Sequence, residues 1–155
     1  MKNNLLVVVM ISAVFVFTSC NDSSKGDSDY GKVIAVDSVA NKSKNEVDNL
    51  LGASDDQKPW TDKESGCKSC PVAFYKNGVV EVIYIKGKAD RITVNKVKYP
   101  FEQSIILGAI GLKETDPSFK NSNVMRWSNI PGFKEISAFN ANDQIDYILI
   151  KTNTN

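Results

Sequence analysis

Short apolar segments separated by turn residues are the feature that most constrains the fold of this chain. "VAFY" and "VVEVIYIK" flank Asn77-Gly78, the dipeptide that most strongly indicates a tight β-hairpin turn. A second turn at Gly87-Lys88 leads into "ADRITVN". Because apolar residues dominate both faces of "VVEVIYIK", we predict a central strand that a helix covers on one side. The pattern favours an antiparallel sheet.

A helix is predicted ahead of these strands, in "ANKSKNEVDNLLGASDD". Ser43 and Glu46 have the spacing of a capping box, in which each side chain bonds a free backbone N–H of the other residue. Gly52 stands where a helix C-terminus commonly adopts a left-handed conformation. The apolar face of this helix would consist of Val47, Leu50 and Leu51.

The second half of the chain repeats this order of elements. "FEQSIILGAIGL" follows Pro100 and predicts a helix that Gly111 ends. "VMRW", "FKEISAF" and "QIDYILIK" then predict strands separated by the turns "SNIPG" and "NAND". The predicted fold class is therefore α+β, with two tandem helix-plus-antiparallel-strands units forming one small sheet domain. A gene duplication is an open interpretation of this repetition.

The N-terminus predicts export and a lipid anchor. Lys2 precedes an apolar block at residues 5–17, which is the pattern of a secretory signal and is shorter than the ~20 residues of a membrane-spanning helix. The block ends in "FTSC", which resembles a bacterial lipobox. We expect cleavage of residues 1–19 and lipidation of Cys20; the alternative is an ordinary signal peptide, with Cys20 incidental. Two or three acyl chains would anchor the protein stably.

The remaining chain divides into a polar tether at residues 20–32 and a domain at residues 33–155. Without residues 1–19, the chain would carry 18 basic and 18 acidic residues. This balance does not favour nucleic acid, which binds clustered basic residues. We expect a protein of the cell envelope, at the outer membrane rather than the inner, with its periplasmic or surface side left open.

Cys67 and Cys70 are predicted to form a disulfide, because an exported protein meets an oxidising compartment. The chain has no histidine and no second Cys-x-x-Cys pair, so a metal site is poorly supported and no cofactor is expected. The rival interpretation is a thioredoxin-like centre, since "CKSCP" matches its motif. Such a centre lies at the start of a helix, whereas strand-like sequence follows here.

"KSKNEVDNLLGASDD" resembles the entry motif of the small outer-membrane lipoprotein family called SmpA/OmlA, whose design the β-lactamase-inhibitor protein shares in tandem. This sequence departs from the motif at Lys42, which replaces a glycine, and at Ser54, which replaces a proline. The resemblance implies a non-catalytic envelope lipoprotein that binds other proteins. The matching positions are Ser43, Glu46, Val47, Leu50, Leu51 and Gly52.

Four residues are candidate binding contacts: Trp60, Tyr75, Arg126 and Trp127. Trp, Tyr and Arg are the residues that most often dominate the binding energy at interfaces. Packing within the domain is the alternative for the aromatic residues, and above all for Trp127. No catalytic residue is assigned, because the usual general base, histidine, is absent.

A pair of carboxylates also occupies equivalent strand positions, Glu81 and Glu135, with Asp90 and Asp146 on the strands that follow. We interpret these as outward-facing residues paired with Lys or Arg.

The main functional hypothesis is a lipid-anchored protein-binding or scaffolding module with an envelope partner. A thiol–disulfide oxidoreductase using Cys67 and Cys70, and a small-ligand-binding lipoprotein, are the alternatives.

Overall fold

The computed structural model describes residues 30–62 and 67–154. The predicted signal peptide, Cys20 and residues 21–29 of the tether lie outside this part. The described residues form three helices and eight strands. These are α1 Val36–Val39, α2 Lys44–Leu51, β1 Asp56–Asp62, β2 Cys67–Tyr75, β3 Val80–Ile85, β4 Lys88–Asn95, α3 Gln103–Ala109, β5 Phe119–Lys120, β6 Val124–Trp127, β7 Phe133–Ala141 and β8 Gln144–Thr152.

All eight strands belong to one antiparallel sheet with the order β1-β2-β3-β4-β8-β7-β6-β5. The prediction of an antiparallel sheet is confirmed. The finer class needs correction, because 45% of the described residues are strand and only 16% are helix. The helices are only 4, 8 and 7 residues long, whereas several strands reach 9. The protein is therefore mostly β, and not clearly α+β with two tandem units.

The hairpin turns follow the local sequence. Lys76 and Asn77 have positive φ angles of 54° and 56°, and Gly78 completes the turn between β2 and β3. Asn142 and Asp143, at 54° and 61°, connect β7 to β8 in the same way. Asn and Asp tolerate this left-handed region better than most residues do. These turns, predicted from sequence, set the register of the strands beside them.

Helix α2 begins with the predicted capping box. The Ser43 hydroxyl oxygen accepts from the backbone N–H of Glu46, and the Glu46 carboxylate accepts from the backbone N–H of Ser43 over 2.8 Å. Val47 is fully buried, but the Leu50 side chain is 53% exposed. The predicted apolar face is therefore wrong at Leu50, because α2 is only two turns long and rests on the sheet mainly through Val47.

The three helices cover one face of the sheet and form the main core with it. Helices α1, α2 and α3 contribute Val36, Val39, Val47, Ile105, Ile106, Leu107 and Ala109. Alternate strand residues meet them, since successive side chains of a strand point to opposite faces. The buried strand residues of this core are Ala73, Tyr75, Val80, Val82, Tyr84, Ala89, Ile92, Val94, Met125, Trp127, Phe133, Ile136, Ala138, Ile145, Ile148 and Ile150.

The end of α3 is a close-packed crossing. Gly111 has φ +77°, and a Cβ there would lie 3.2 Å from the Cα of Ala35 and 3.1 Å from the carbonyl oxygen of Ile34. The segment before α1 passes here, with the backbone N–H of Val33 donating to the carbonyl of Ala109 over 2.8 Å. Gly111 ends the helix as predicted, and it also admits this neighbouring backbone.

One strand forms from a segment with little strand character of its own. The segment "DQKPWTD" is strand β1, although Pro59 lies in it and its apolar content is low. It is an edge strand that pairs with β2 alone, a position where proline is tolerated.

In the described ranges, no helix combines the length and the apolar character that crossing a membrane requires.

Candidate binding face of the sheet

The face of the sheet opposite the helices is the candidate functional surface, and we call it the helix-free face. It is defined by one row of residues in register across all eight strands. Their side chains share a face because they alternate with those of the main core. The row is Asp56, Phe74, Glu81, Thr93, Leu149, Ser137, Arg126 and Phe119.

A second, smaller core lies at the β1–β3 end of this face. It surrounds the disulfide between Cys67 and Cys70, whose Cα atoms are 5.8 Å apart. The two cysteines are 6% and 8% exposed, and Val72, Ile83 and Ile85 are buried with them. The predicted disulfide is confirmed, and it belongs to an apolar cluster on the helix-free face.

Two cations lie over the aromatic rings that border this cluster. The guanidinium carbon of Arg91 is 4.7 Å from the centre of the Trp60 ring, and the Lys58 amino group is 4.7 Å from that of Phe74. Arg91 also donates to the Asp62 carboxylate over 3.0 Å. Cation–π contacts of this kind are worth about 0.5–1 kcal/mol at exposed sites. The Arg91 contact covers the Trp60 ring, which is half-buried.

An ion-pair network occupies the other half of the face. The Lys151 amino group donates to Glu135 over 3.1 Å, and the Nε of Arg126 lies 3.5 Å from the same carboxylate. The Arg126 Nε also donates to the Ser137 hydroxyl over 3.2 Å. Burial would raise the pKa of Glu135, but the hydrogen bond and charge of Lys151, helped by Arg126, hold that pKa below its ordinary value. Glu135 is therefore ionised near neutral pH.

Aromatic side chains flank this network. Phe139 and Tyr147 stack with their ring centres 4.4 Å apart on β7 and β8. Phe119, at the β5 edge, is 49% exposed. A shallow depression of about 440 Å³ lies between Phe74 and Tyr147, and it is lined also by Gly78, Asn95, Lys96 and Asp146.

The four predicted binding residues separate into two pairs. Trp60 and Arg126 lie on the helix-free face, Trp60 half-buried and Arg126 exposed. Tyr75 and Trp127 are buried in the main core with 0% exposure. The indole N–H of Trp127 donates to the carbonyl of Thr115 over 2.9 Å, so its polar atom is satisfied internally. The fold therefore offers neither buried side chain to a partner.

The sequence reasoning missed Phe74, Phe119 and Tyr147 as surface aromatics. The alternation of side chains between the two faces of a strand is the signal that could have identified Phe74. Phe74 falls between Ala73 and Tyr75, which face the main core, so its ring must lie on the other face. For Phe119 the sequence offers little, because β5 is only two residues long.

The cysteine pair has a different setting from that of a thioredoxin-like centre. Cys67 begins strand β2, and Cys70 lies within the same strand. No helix N-terminus in the described part of the chain adjoins them, and such a terminus is the feature that lowers a catalytic thiol pKa. The described residues also contain no group of three or more Cys, Asp or Glu side chains placed to hold a metal ion.

Comparison with known proteins adds no assignment. No protein-family model, curated protein or solved structure matches this chain.

Proposed function

We propose that this protein is a lipid-anchored envelope protein that binds another protein through its helix-free face, without catalysis. The observation that carries the proposal is the composition of that face. Half-buried Trp60, Phe74, Phe139 and Tyr147 and the exposed Phe119 lie on a surface that no described helix covers. Aromatic residues and arginine dominate the binding energy of protein interfaces.

The dimensions of the face agree with this role. Strands in a sheet lie about 4.8 Å apart, so eight strands form a surface roughly 35 Å wide. A standard protein interface buries about 800 Å² on each partner, which a surface of this width provides. Apolar clusters at both ends, with charged residues between them, resemble the mixed composition of non-obligate interfaces.

The anchor is the second part of the proposal and rests on the sequence alone. Lipid on Cys20 would attach the chain to a membrane, and residues 21–29 would connect it to the folded part at Tyr30. A flexible linker of this length spans about 5–6 Å times the square root of its residue number. The binding face would then remain within a few nanometres of the membrane, where an envelope partner meets it.

We also propose that the sheet is built from two related units, β1–β4 and β5–β8. The strand order supports this, because each set of four runs from an outer edge to the centre, where β4 pairs with β8. The similar patterns "VEVIYIKGKADRITV" and "KEISAFNANDQIDYILI" support it as well. Kinship with the SmpA/OmlA-like lipoproteins remains part of the same proposal.

Site-specific photo-cross-linking in cells tests the binding role. A photoreactive amino acid replaces Thr93 or Leu149 on the helix-free face, and Asn49, an exposed residue of α2, in the matched control. We expect a discrete cross-linked protein band from the two face positions and none from Asn49. Trp60→Ala should weaken the face-specific band. Equal bands from all three positions, or none from the face, would contradict the proposal.

A small-ligand-binding function is the second candidate, and the depression between Phe74 and Tyr147 is the observation that favours it. Two rings, the amide of Asn95 and the opposite charges of Lys96 and Asp146 are the kind of lining that orients a small polar molecule. This candidate predicts that a ligand raises the melting temperature of the wild type and not of Tyr147→Ala. A screen of metabolites by thermal shift tests it.

A further inference from the structure

Arg126 is held in place by one nitrogen while the rest of its guanidinium stays available. Its Nε bonds the hydroxyl of Ser137 at 3.2 Å and approaches Glu135 at 3.5 Å. Within the described residues, neither of its two terminal nitrogens donates a hydrogen bond, and the side chain is 45% exposed. An arginine ordered in this way loses little further entropy when it binds a second group.

The charges around Arg126 favour an anionic group. Arg126 and Lys151 together place two positive charges on the single carboxylate of Glu135. The network therefore has one positive charge in excess. A second carboxylate would neutralise it, and the free edge of a guanidinium binds a carboxylate through two parallel hydrogen bonds.

Two apolar side chains also flank Arg126. Phe119 lies directly opposite Arg126 in the β5–β6 register, and its ring is one of the few large apolar side chains exposed on the described surface. Val124, two residues before Arg126, faces the same side and is half-buried beside Phe139. A ligand that reaches the free edge of Arg126 thus also meets the apolar side chains of Phe119 and Val124.

We propose that this part of the helix-free face binds a protein segment in which a carboxylate side chain stands next to an apolar one. The carboxylate pairs with the free edge of Arg126, and the apolar side chain packs on Phe119 and Val124. This inference rests on the proposed protein-binding function and names the chemistry of the partner. A phosphate-bearing ligand fits less well, because a single free guanidinium edge flanked by apolar side chains differs from the basic clusters that such ligands select.

Random peptides displayed on phage and selected on the full chain in detergent provide the probe. We expect enriched sequences with Asp or Glu beside Leu, Ile or Phe. Each enriched peptide is then synthesised in two forms, with the carboxylate and with the matching amide, and binding is followed by fluorescence anisotropy. The amide form should bind at least about tenfold more weakly, since an unpaired charge at an interface is costly.

Variants of the protein distinguish the effect of guanidinium geometry on binding from the effect of positive charge alone. Arg126→Gln and Arg126→Lys should both lose at least about tenfold in affinity, because lysine lacks the two-point geometry. Phe119→Ala should weaken binding as well. Lys113→Gln, which removes a charge from the exposed loop after α3, is the control and should leave binding unchanged.

The outcomes distinguish this inference from the proposed function. If the face-specific cross-link from Leu149 persists unchanged in Arg126→Gln, protein binding stands and the carboxylate inference is overturned. Enrichment of peptides without acids, or full binding by Arg126→Lys, also overturns it. Displacement of the peptide by phosphate more readily than by acetate, at equal ionic strength, shows that the site prefers phosphate and rejects the inference. If no position on the face cross-links to a protein, the proposed function itself fails.

Discussion

The phenol hydroxyl of Tyr75 donates to the carboxylate of Asp48 over 2.8 Å, and it thereby ties the sheet to helix α2. An ionised carboxylate only accepts hydrogen bonds, so the proton of Tyr75 is committed to Asp48. Tyr84, whose hydroxyl is 2.8 Å from that of Tyr75, must then be the donor in the second bond. Burial, then the bonds to Tyr84 and Asp48, raise the pKa of Tyr75, and burial raises the pKa of Tyr84 to about 12.

Tyr75→Phe should destabilise the protein by about 1–3 kcal/mol, because the buried Tyr84 loses its acceptor and the half-buried Asp48 loses one of its donors. Urea unfolding measures this free energy. Tyr99→Phe is the matched control, since it removes an exposed bond to the carbonyl of Gly31 at 3.0 Å and should cost less. Equal losses of stability in the two variants would show that the buried hydrogen bonds of Tyr75 contribute no more than the exposed bond of Tyr99.

The capping box of α2 predicts an acid dependence. Backbone and side-chain hydrogen bonds from Ser43, with Lys42, lower the pKa of Glu46 from 4.5 to about 2. A lowered folded-state pKa means that the stabilisation is complete above pH 4.5 and is lost as the pH falls through about 2. The stability advantage of the wild type over Glu46→Gln should therefore shrink across that range. A difference that stays constant with pH would contradict the assignment.

Ser43→Ala should cost roughly 1 kcal/mol at neutral pH, as the loss of a helix N-cap usually does. Its effect should not add to that of Glu46→Ala, because each of these variants breaks the same reciprocal pair. A double-mutant cycle by thermal unfolding measures this coupling. Strict additivity would mean that the two bonds act independently.

The disulfide should stabilise the end of the β1–β2 hairpin and not the whole domain. A loop closed between Cys67 and Cys70 is so short that the chain-entropy model allows at most ~2 kcal/mol. Replacing both cysteines by alanine should leave the protein folded but increase amide hydrogen exchange in β1 and β2. Exchange in β7 and β8 should stay at the wild-type level. Global unfolding of the double variant would show that the second core depends on the bridge.

Gly111 should be less tolerant of a side chain than Gly132. Both have positive φ angles, of +77° and +88°, so alanine is strained at either position. Only at Gly111 does the new Cβ also meet backbone atoms of Ile34 and Ala35, at 3.1 and 3.2 Å. Gly111→Ala should therefore lower the free energy of unfolding by about 1–3 kcal/mol more than Gly132→Ala. Equal losses of stability in the two variants would mean that the backbone before α1 moves away from the new Cβ without an energetic cost.

The two tryptophans should differ in fluorescence. Trp127 is fully buried, whereas Trp60 is half-buried beneath Arg91. Acrylamide should quench one component of the emission, and Trp60→Phe should remove that component. Arg91→Gln should increase the quenching of Trp60 by uncovering its ring. Unchanged quenching in Arg91→Gln would argue that other groups shield this side chain.

Much of the local structure was accessible from sequence because its causes are local. Asn77-Gly78 and Asn142-Asp143 place residues that tolerate positive φ at the tips of two hairpins, and the strands beside them follow. The Ser43–Glu46 pair begins α2 by bonds between residues three apart. Cys67 and Cys70 are too close in the chain to need tertiary structure to meet. Each of these features is stabilised by interactions between residues that are only a few positions apart.

The tertiary structure decided what depends on distant partners. The segment "DQKPWTD" is a strand only because the edge of β2 offers it hydrogen bonds, since its own residues favour a turn. The pairing of β4 with β8 joins segments more than fifty residues apart, and no local pattern specifies it. Arg126 is a candidate contact because the pairings of β6 with β7 and of β7 with β8 bring Glu135 and Lys151 to its side of the sheet. Glu135 then fixes one edge of its guanidinium and leaves the other for a partner. Sequence determined the turns, the cap and the disulfide. The tertiary structure decided which face of the sheet the helices cover, and therefore which aromatic rings are buried and which face outward, because that depends on the register across strands and not on any residue's own chemistry.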